Sequence, residues 1–237
     1  MAIPAGLSGM INEGPVVEPR PSASVLVVRG RSPWEVLLVR RPDGVCFAPG
    51  AHVFPGGSVH GEDAAHPDPL RAAAIRELFE EAGVLLARLR GRTADSALAD
   101  RLRRDLTAGL TWRDAVERAG LELAFDRLTP LTRWVTPEQL RRRFDTRFFL
   151  ARMPSRQEIV PQQGEIVDWR WAEPAGALGD PSVQLVHATR RILESVAGEE
   201  DAGSLIARLR RRRRIPSVRP RLIRDGEAWR IVEDAGE

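Results

Sequence analysis

Two short apolar runs open the ordered pattern of the chain. Ser22–Arg29 and Glu35–Arg40 are rich in valine and leucine and are separated by Gly30-Arg31-Ser32-Pro33, which predicts a hairpin-like pair of strands. Val53–Phe54 then enters a Pro55-Gly56-Gly57 turn. From Leu70 to Leu89 the period changes: Ala74, Ile75, Leu78, Phe79, Ala82, Leu85 and Leu86 fall on one side of a helical wheel, which predicts one amphipathic helix. Helical spacing returns through Leu98, Leu102 and Leu106, then Trp112, Ala115 and Val116, and predicts a helical pair within Thr93–Ala119. Strands are expected at Leu128–Val135, Arg143–Ala151 and Ile166–Ala172, and a helix at Pro181–Val196 with Leu185, Ala188, Ile192 and Val196 inward. Beyond Gly198, Ser204–Arg214 reads as a helix, and Arg221–Val232 alternates about Asp225-Gly226, a pair favoured in tight hairpins. The pattern divides the chain into a Gly/Pro-rich arm (1–20), a mixed α/β domain (21–197) with a helical insertion at about 93–120, and a helix-and-hairpin extension (198–237).

The polar side of the Leu70–Leu89 helix carries the chemistry. Arg76, Glu77, Glu80 and Glu81 fill one arc opposite the apolar one. Glutamates three and four apart repel at about 0.2–0.5 kcal/mol per pair. A divalent cation turns that repulsion into affinity, because Mg2+ takes one or two carboxylates and leaves its other positions to water and substrate phosphate. The plainer alternative is an ordinary helix with a solvated acidic face. Arg76 can pair with Glu80 four residues on, and Gly83 stands where the helix could bend or receive a close backbone contact.

The stretch Arg76-Glu77-Leu78-Phe79-Glu80-Glu81-Ala82-Gly83-Val84 resembles the second half of the Nudix box, Gly-x5-Glu-x7-Arg-Glu-U-x-Glu-Glu-x-Gly-U with U aliphatic, at every position. In the first half, Gly56 followed after five residues by Glu62 leaves thirteen residues before Arg76 where the pattern has seven. The excess falls in the turn-rich stretch His60–Pro69, where a longer loop leaves the helix register intact. This insertion, with Trp134-Val135-Thr136-Pro137 and Arg143–Ala151, is similar to the branch that includes the peroxisomal coenzyme A diphosphatases and their bacterial relatives.

That resemblance implies an α/β/α sandwich around a mixed sheet and metal-dependent hydrolysis of a phosphoanhydride in a nucleoside diphosphate linked to X. Coenzyme A or acyl-CoA is the leading X, cleaved to 3′,5′-ADP and a 4′-phosphopantetheine product. ADP-ribose, NADH, nucleotide sugars and oxidised nucleotides are rivals, and a non-catalytic nucleotide sensor or nucleic-acid-binding regulator is a rival of another class. By resemblance Glu77, Glu80 and Glu81 are metal ligands for Mg2+ or Mn2+, Glu81 foremost, with Arg76 orienting them. Glu165, which precedes the Trp169/Trp171 strand, is the further carboxylate expected to act as ligand or general base, with Glu158 and Asp168 as competitors. Arg40, Gly56 and Gly57 are the substrate-binding candidates.

Composition changes this picture little. At 237 residues with 43% hydrophobic content, the chain has enough material for one enlarged domain. All 36 basic residues are arginine and the formal net charge is only +3. Arginine suits phosphate because its planar fork donates two parallel hydrogen bonds. The run Arg210–Arg214 is short, lacks interleaved aromatics and follows Glu199-Glu200-Asp201, so nucleic acid is disfavoured as a partner. The expected partner is a small-molecule nucleotide-diphosphate substrate, with a homodimer left open. Cys46 is the single cysteine, no apolar run reaches membrane-spanning length, no basic n-region precedes an apolar run, and the C-terminus is unlike a Ser-Lys-Leu address. The expectation is a cytoplasmic protein.

Overall fold

The computed structural model describes residues 10–45, 48–161, 164, 166–226 and 228–233. Cys46 and Glu165 lie outside them. Strand β1 (Arg20–Gly30) pairs antiparallel with β2 (Trp34–Arg40). Ala23, Val25 and Val27 of β1 enter one core while Leu26 and Val28 enter another. Burial on both faces explains why this strand reads as a continuous apolar run rather than an alternating one.

Two short strands follow, β3 (His52–Val53) on β2 and β4 (Gly56–Ser58) on β1. Gly56 and Gly57, expected in a turn, therefore sit in the sheet, opposite Ser24 and Ala23. Helix α1 (Pro69–Ala82) starts where Asp68 accepts a hydrogen bond from the Arg71 N–H and Pro69 takes the first helical position. It stops at Ala82 rather than Leu89. Gly83 adopts φ +72°, its N–H bonds Phe79 O, and a Cβ there would stand 2.7 Å from Val160 O. Freed from the helix, Ala87–Leu89 forms β5, which with β6 (Arg92–Thr93) and a later strand builds a small sheet that the periodicity did not reveal.

The helical pair is α2 (Ser96–Thr107) and α3 (Trp112–Arg118), capped by Asp95 and Thr111, and β7 (Leu121–Leu123) closes the small sheet. Strands β8 (Thr129–Val135), β9 (Phe144–Arg152) and β10 (Asp168–Ala172) return to the main sheet. Of the expected Pro181–Val196 helix only α5 (His187–Val196) forms, and a short helix α4 (Pro174–Gly179) precedes it where none was expected. Asp180 accepts from both the N–H and the hydroxyl of Ser182, a local turn that competes with helix between the two. Helix α6 (Ala202–Arg210) is capped by Asp201, and β11 (Ser217–Val218) and the hairpin β12 (Arg221–Asp225) and β13 (Ala228–Val232) end the described chain. Gly226 takes φ +63° in the hairpin turn.

The main sheet runs β10-β2-β1-β9-β8-β11, with β1/β9 and β8/β11 parallel and the remaining pairs antiparallel. Helices α1 to α3 pack on one face and α4 to α6 on the other, giving an α/β/α sandwich. Residues from 10 to 17 pack as an arm: Ile11 bridges to Leu140, and buried Arg143 donates to Val17 O at 2.6 Å.

Candidate active site

The polar arc of α1 is largely buried, unlike the solvated face of an ordinary acidic helix. Arg76 is 3% exposed, Glu77 9% and Glu81 8%, because α1 lies with this arc against β4 and the loop before the helix. Burial of this many charges is tolerable only if they meet one another. The Arg76 guanidinium forks onto Asp63 at 3.2 and 2.9 Å, donates to the Ser58 carbonyl at 2.9 Å, and reaches Glu77 at 2.9 Å and Glu80 at 2.7 Å. Burial alone pulls the Arg76 pKa down, but the Asp63 hydrogen bond and the charges of Glu77 and Glu80 outweigh it and leave the pKa raised. Arg76 is held charged.

Asp63 corrects the alignment of the first half of the box. Gly57, not Gly56, is the opening glycine, and the acid after five intervening residues is Asp63, 0% exposed. Its carboxylate also accepts from the His60 N–H at 2.8 Å. Glu62, one residue earlier, points elsewhere and accepts from the Arg113 N–H at the start of α3 at 3.0 Å. The signal was present in Gly57-x5-Asp63, where aspartate carries the same charge on a shorter stem.

The two glycines act through close approach. The Gly56 N–H donates to Glu81 Oε2 at 2.9 Å. A Cβ at Gly57 would stand 2.5 Å from the Glu77 carboxylate, so β4 passes the helix only because the side chain is missing. A second unforeseen residue is Gln157, buried, which receives the Leu85 N–H and donates to Leu85 O and Ala94 O beyond the C-terminal end of α1.

The other candidates are dispersed. Arg40 follows Val39, which faces the α1 core, so strand alternation sends Arg40 to the opposite side of the sheet, where it pairs with Asp43 at 2.7 Å. There, after burial itself and Arg170, Arg40 pushes the pKa of buried His52 down. Asp168 is exposed at the start of β10, its carboxylate accepting from the Trp169 N–H. Glu158 is exposed and lines a cavity with Trp169 and Trp171. Among the described residues no group of three His, Cys, Asp or Glu is gathered closely enough to hold a metal ion. Glu77 and Glu81 nevertheless supply hard oxygen donors in the number that Mg2+ ordinarily takes from a protein, so the donor chemistry fits.

Comparison with known proteins agrees with this architecture. The family model described as the NUDT19 Nudix domain matches residues 67–184, from the turn before α1 to the approach to α5. The chain carries a Nudix hydrolase domain. The human acyl-coenzyme A diphosphatase NUDT19 is 29% identical over 204 residues, covering 61% of this chain and 54% of that protein. The NUDT19 of Gallus gallus is 28% identical over 235 residues, covering 67% and 62%. The chain thus spans little more than half the length of these relatives. The crystal structure of a NUDIX hydrolase from Alicyclobacillus acidocaldarius superposes with a TM-score of 0.72 at 28% identity, covering 81% of this chain and 96% of that one. These similarities place the Nudix domain in the branch that resembles the coenzyme A diphosphatases. Among the described residues, no helix is long and apolar enough to cross a membrane.

Proposed function

We propose that the protein is a divalent-metal-dependent diphosphatase that hydrolyses the phosphoanhydride of a nucleoside diphosphate linked to X, with coenzyme A or acyl-CoA as the substrate. The observation that carries the reading is the pair of buried carboxylates, Glu77 and Glu81, held against β4 by Arg76, Asp63 and the Gly56 N–H. The names of the vertebrate relatives support the choice of X.

In hydrolysis a water oxygen bonds to phosphorus, the bridging P–O bond breaks, and a proton leaves the water. Glu77 and Glu81 would hold Mg2+ or Mn2+, which when bound neutralises diphosphate charge and acidifies the water. Arg76, anchored on Asp63 and Ser58 O, fixes the Glu77 and Glu80 carboxylates before substrate arrives. Such preorganisation avoids reorganising dipoles during the reaction. Glu165, in the connection between β9 and β10, is proposed as the group that takes the proton, with Glu158 of the same connection and Asp168 at the start of β10 as alternatives.

A panel of CoA, acetyl-CoA, ADP-ribose, NADH and UDP-glucose, assayed with Mg2+ or Mn2+ for phosphate released after phosphatase treatment, tests the reading. CoA or acetyl-CoA should give the highest kcat/KM, and full activity in excess chelator would overturn metal dependence. A higher kcat/KM on any of the other three would replace X. No turnover on any member would favour a nucleotide-sensing role.

A further inference from the structure

His52, in β3, is a buried titratable side chain that the carboxylate cluster does not use. It is 3% exposed, and among the described residues neither ring nitrogen has a hydrogen-bond partner. Its backbone is fixed: the N–H donates to Gln184 O at 2.7 Å, Leu185 bridges to it, and Arg40 stands opposite it on β2. Residues opposite one another in a ladder share a face, so the ring lies with Arg40 on the α4 to α6 side of the sheet. Buried polar groups are nearly always satisfied, and an orphan calls for a physical reason.

The charged groups that face the ring come from three elements. Arg40 stands on β2, Arg170 and Asp168 on β10, and Asp180 in the turn after α4. Burial, then Arg170 and Arg40, lower the His52 pKa and outweigh the opposing pull of Asp168 and Asp180. Both carboxylates are committed elsewhere. Asp168 accepts from the Trp169 N–H at 2.8 Å, and Asp180 accepts from Ser182 and, at 3.1 Å, from Arg170. A proton on His52 would therefore add a third cation at a buried place beside two arginines, with no acceptor hydrogen-bonded to either nitrogen. An accepting partner would tolerate that charge; without one, the ring responds to a single proton.

We propose that His52 is an acid-sensitive latch on the carboxylate site: while the ring is neutral the strip 52–58 stays seated, and a proton on the ring releases it. The strip that His52 begins is what builds the site. Phe54 is buried and meets Phe148 edge-on at 6.4 Å, and Pro55 O accepts from the Val25 N–H at 2.9 Å. The Gly56 N–H then holds Glu81, and Ser58 O holds Arg76. The pairing that seats it is short, His52–Val53 on β2 and Gly56–Ser58 on β1. The proposal rests on the hydrolase reading for what the strip does, and adds to it a regulation of the same site. The sign follows from linkage. A His whose pKa is lowered in the closed form contributes its full stability above the open-form pKa, about 6.5, and loses it as pH falls towards the closed-form value. Over that range the opening constant rises by up to about tenfold per pH unit, because opening takes up one proton.

Hydrogen exchange of the full chain at about pH 7.5 and about pH 5.5, corrected for the intrinsic pH dependence of exchange and run without metal or substrate, tests the latch apart from catalysis. Residues 52–58 should open up to about tenfold more at the lower pH, while β9, on the other side of β1, should not change. His52→Leu, which suits the apolar surroundings and carries no group to charge, should remove the difference, and His52→Gln, which keeps a polar side chain, should do the same. In an active protein both variants should move the acid limb of kcat/KM for CoA to lower pH and leave activity at pH 7.5 unchanged. Equal opening at the two pH values, or acid opening that persists in either folded variant, overturns the latch even if CoA is hydrolysed. Acid opening that the variants lose, in a protein that hydrolyses none of the panel, supports the latch while the hydrolase reading fails.

Discussion

Two arginine clusters in this molecule use the same side chain in opposite ways. Arg76 is buried, and its donors meet Asp63, Ser58 O, Glu77 and Glu80. Arg152, Arg210 and Arg211 border an open groove without a carboxylate in reach among the described residues. The first cluster is closed by the protein itself, so its role is to set the geometry of Glu77 and Glu80. The second has no carboxylate partner among the described residues, Arg152 reaching Gly30 O and Arg210 reaching Thr129 Oγ1 and Asp126 O, all neutral acceptors. Residue type alone does not separate the roles; what stands within about 4 Å does.

Breaking the closed cluster should have the largest effect. Arg76→Ala leaves Asp63 buried without its cation, and loss of one partner from a buried ion pair costs about 3–5 kcal/mol. Urea denaturation should show a loss of that size. A loss below about 1 kcal/mol, the worth of an exposed pair, would mean that the cluster is wetter than its burial indicates.

Gly57→Ala asks whether geometry, apart from stability, matters. The added methyl would meet the Glu77 carboxylate at 2.5 Å, so Glu77 must move. A misplacement of about 1 Å in a catalytic group costs on the order of a hundredfold in rate, so kcat should fall by about that much. An unchanged kcat would remove Glu77 from the working set.

The smallest effect belongs to a half-buried counterpart of the buried cluster. Arg133 forks onto Asp145 at 2.7 and 2.6 Å across β8 and β9, and that hydrogen bond holds the Asp145 pKa below the ordinary carboxylate range. A depressed carboxylate pKa contributes stability that is present above the unfolded pKa, about 3.9, and is lost as pH falls through the folded value. Arg133→Gln should therefore lower stability at neutral pH by at most about 1 kcal/mol. The difference from the unsubstituted protein should shrink as pH is lowered below about 4. A difference that persists at low pH would assign the loss to packing rather than charge.

Much of the architecture was legible because period and punctuation agreed. The helix carrying Arg76 to Ala82 showed apolar spacing that ran on to Leu89, but Gly83 stops it and receives the close backbone approach of Val160 O that glycine allows. Strands β5, β6 and β7 have only two or three residues each, too few to show alternation. Asp63 was missed because Glu62 beside it also fits the spacing from a glycine, and only the fork from Arg76 decides between them. Arg40 could not be placed from sequence, because Val36 to Val39 are apolar on both faces and only the packing shows that Val39 takes the α1 face and Arg40 the other. Gln157 had no local signal, because its partner Leu85 lies 72 residues away.

The central claim is that the buried Glu77 and Glu81 carboxylates hold a divalent cation. Mn2+ titration followed by electron paramagnetic resonance, on the unsubstituted chain and on Glu81→Gln without substrate, tests it most directly. The account predicts saturable binding weakened at least about tenfold in the variant, as expected when one charged ligand of a hard cation becomes neutral. Equal binding by the two proteins, with Glu81→Gln shown to be folded by circular dichroism, would contradict it.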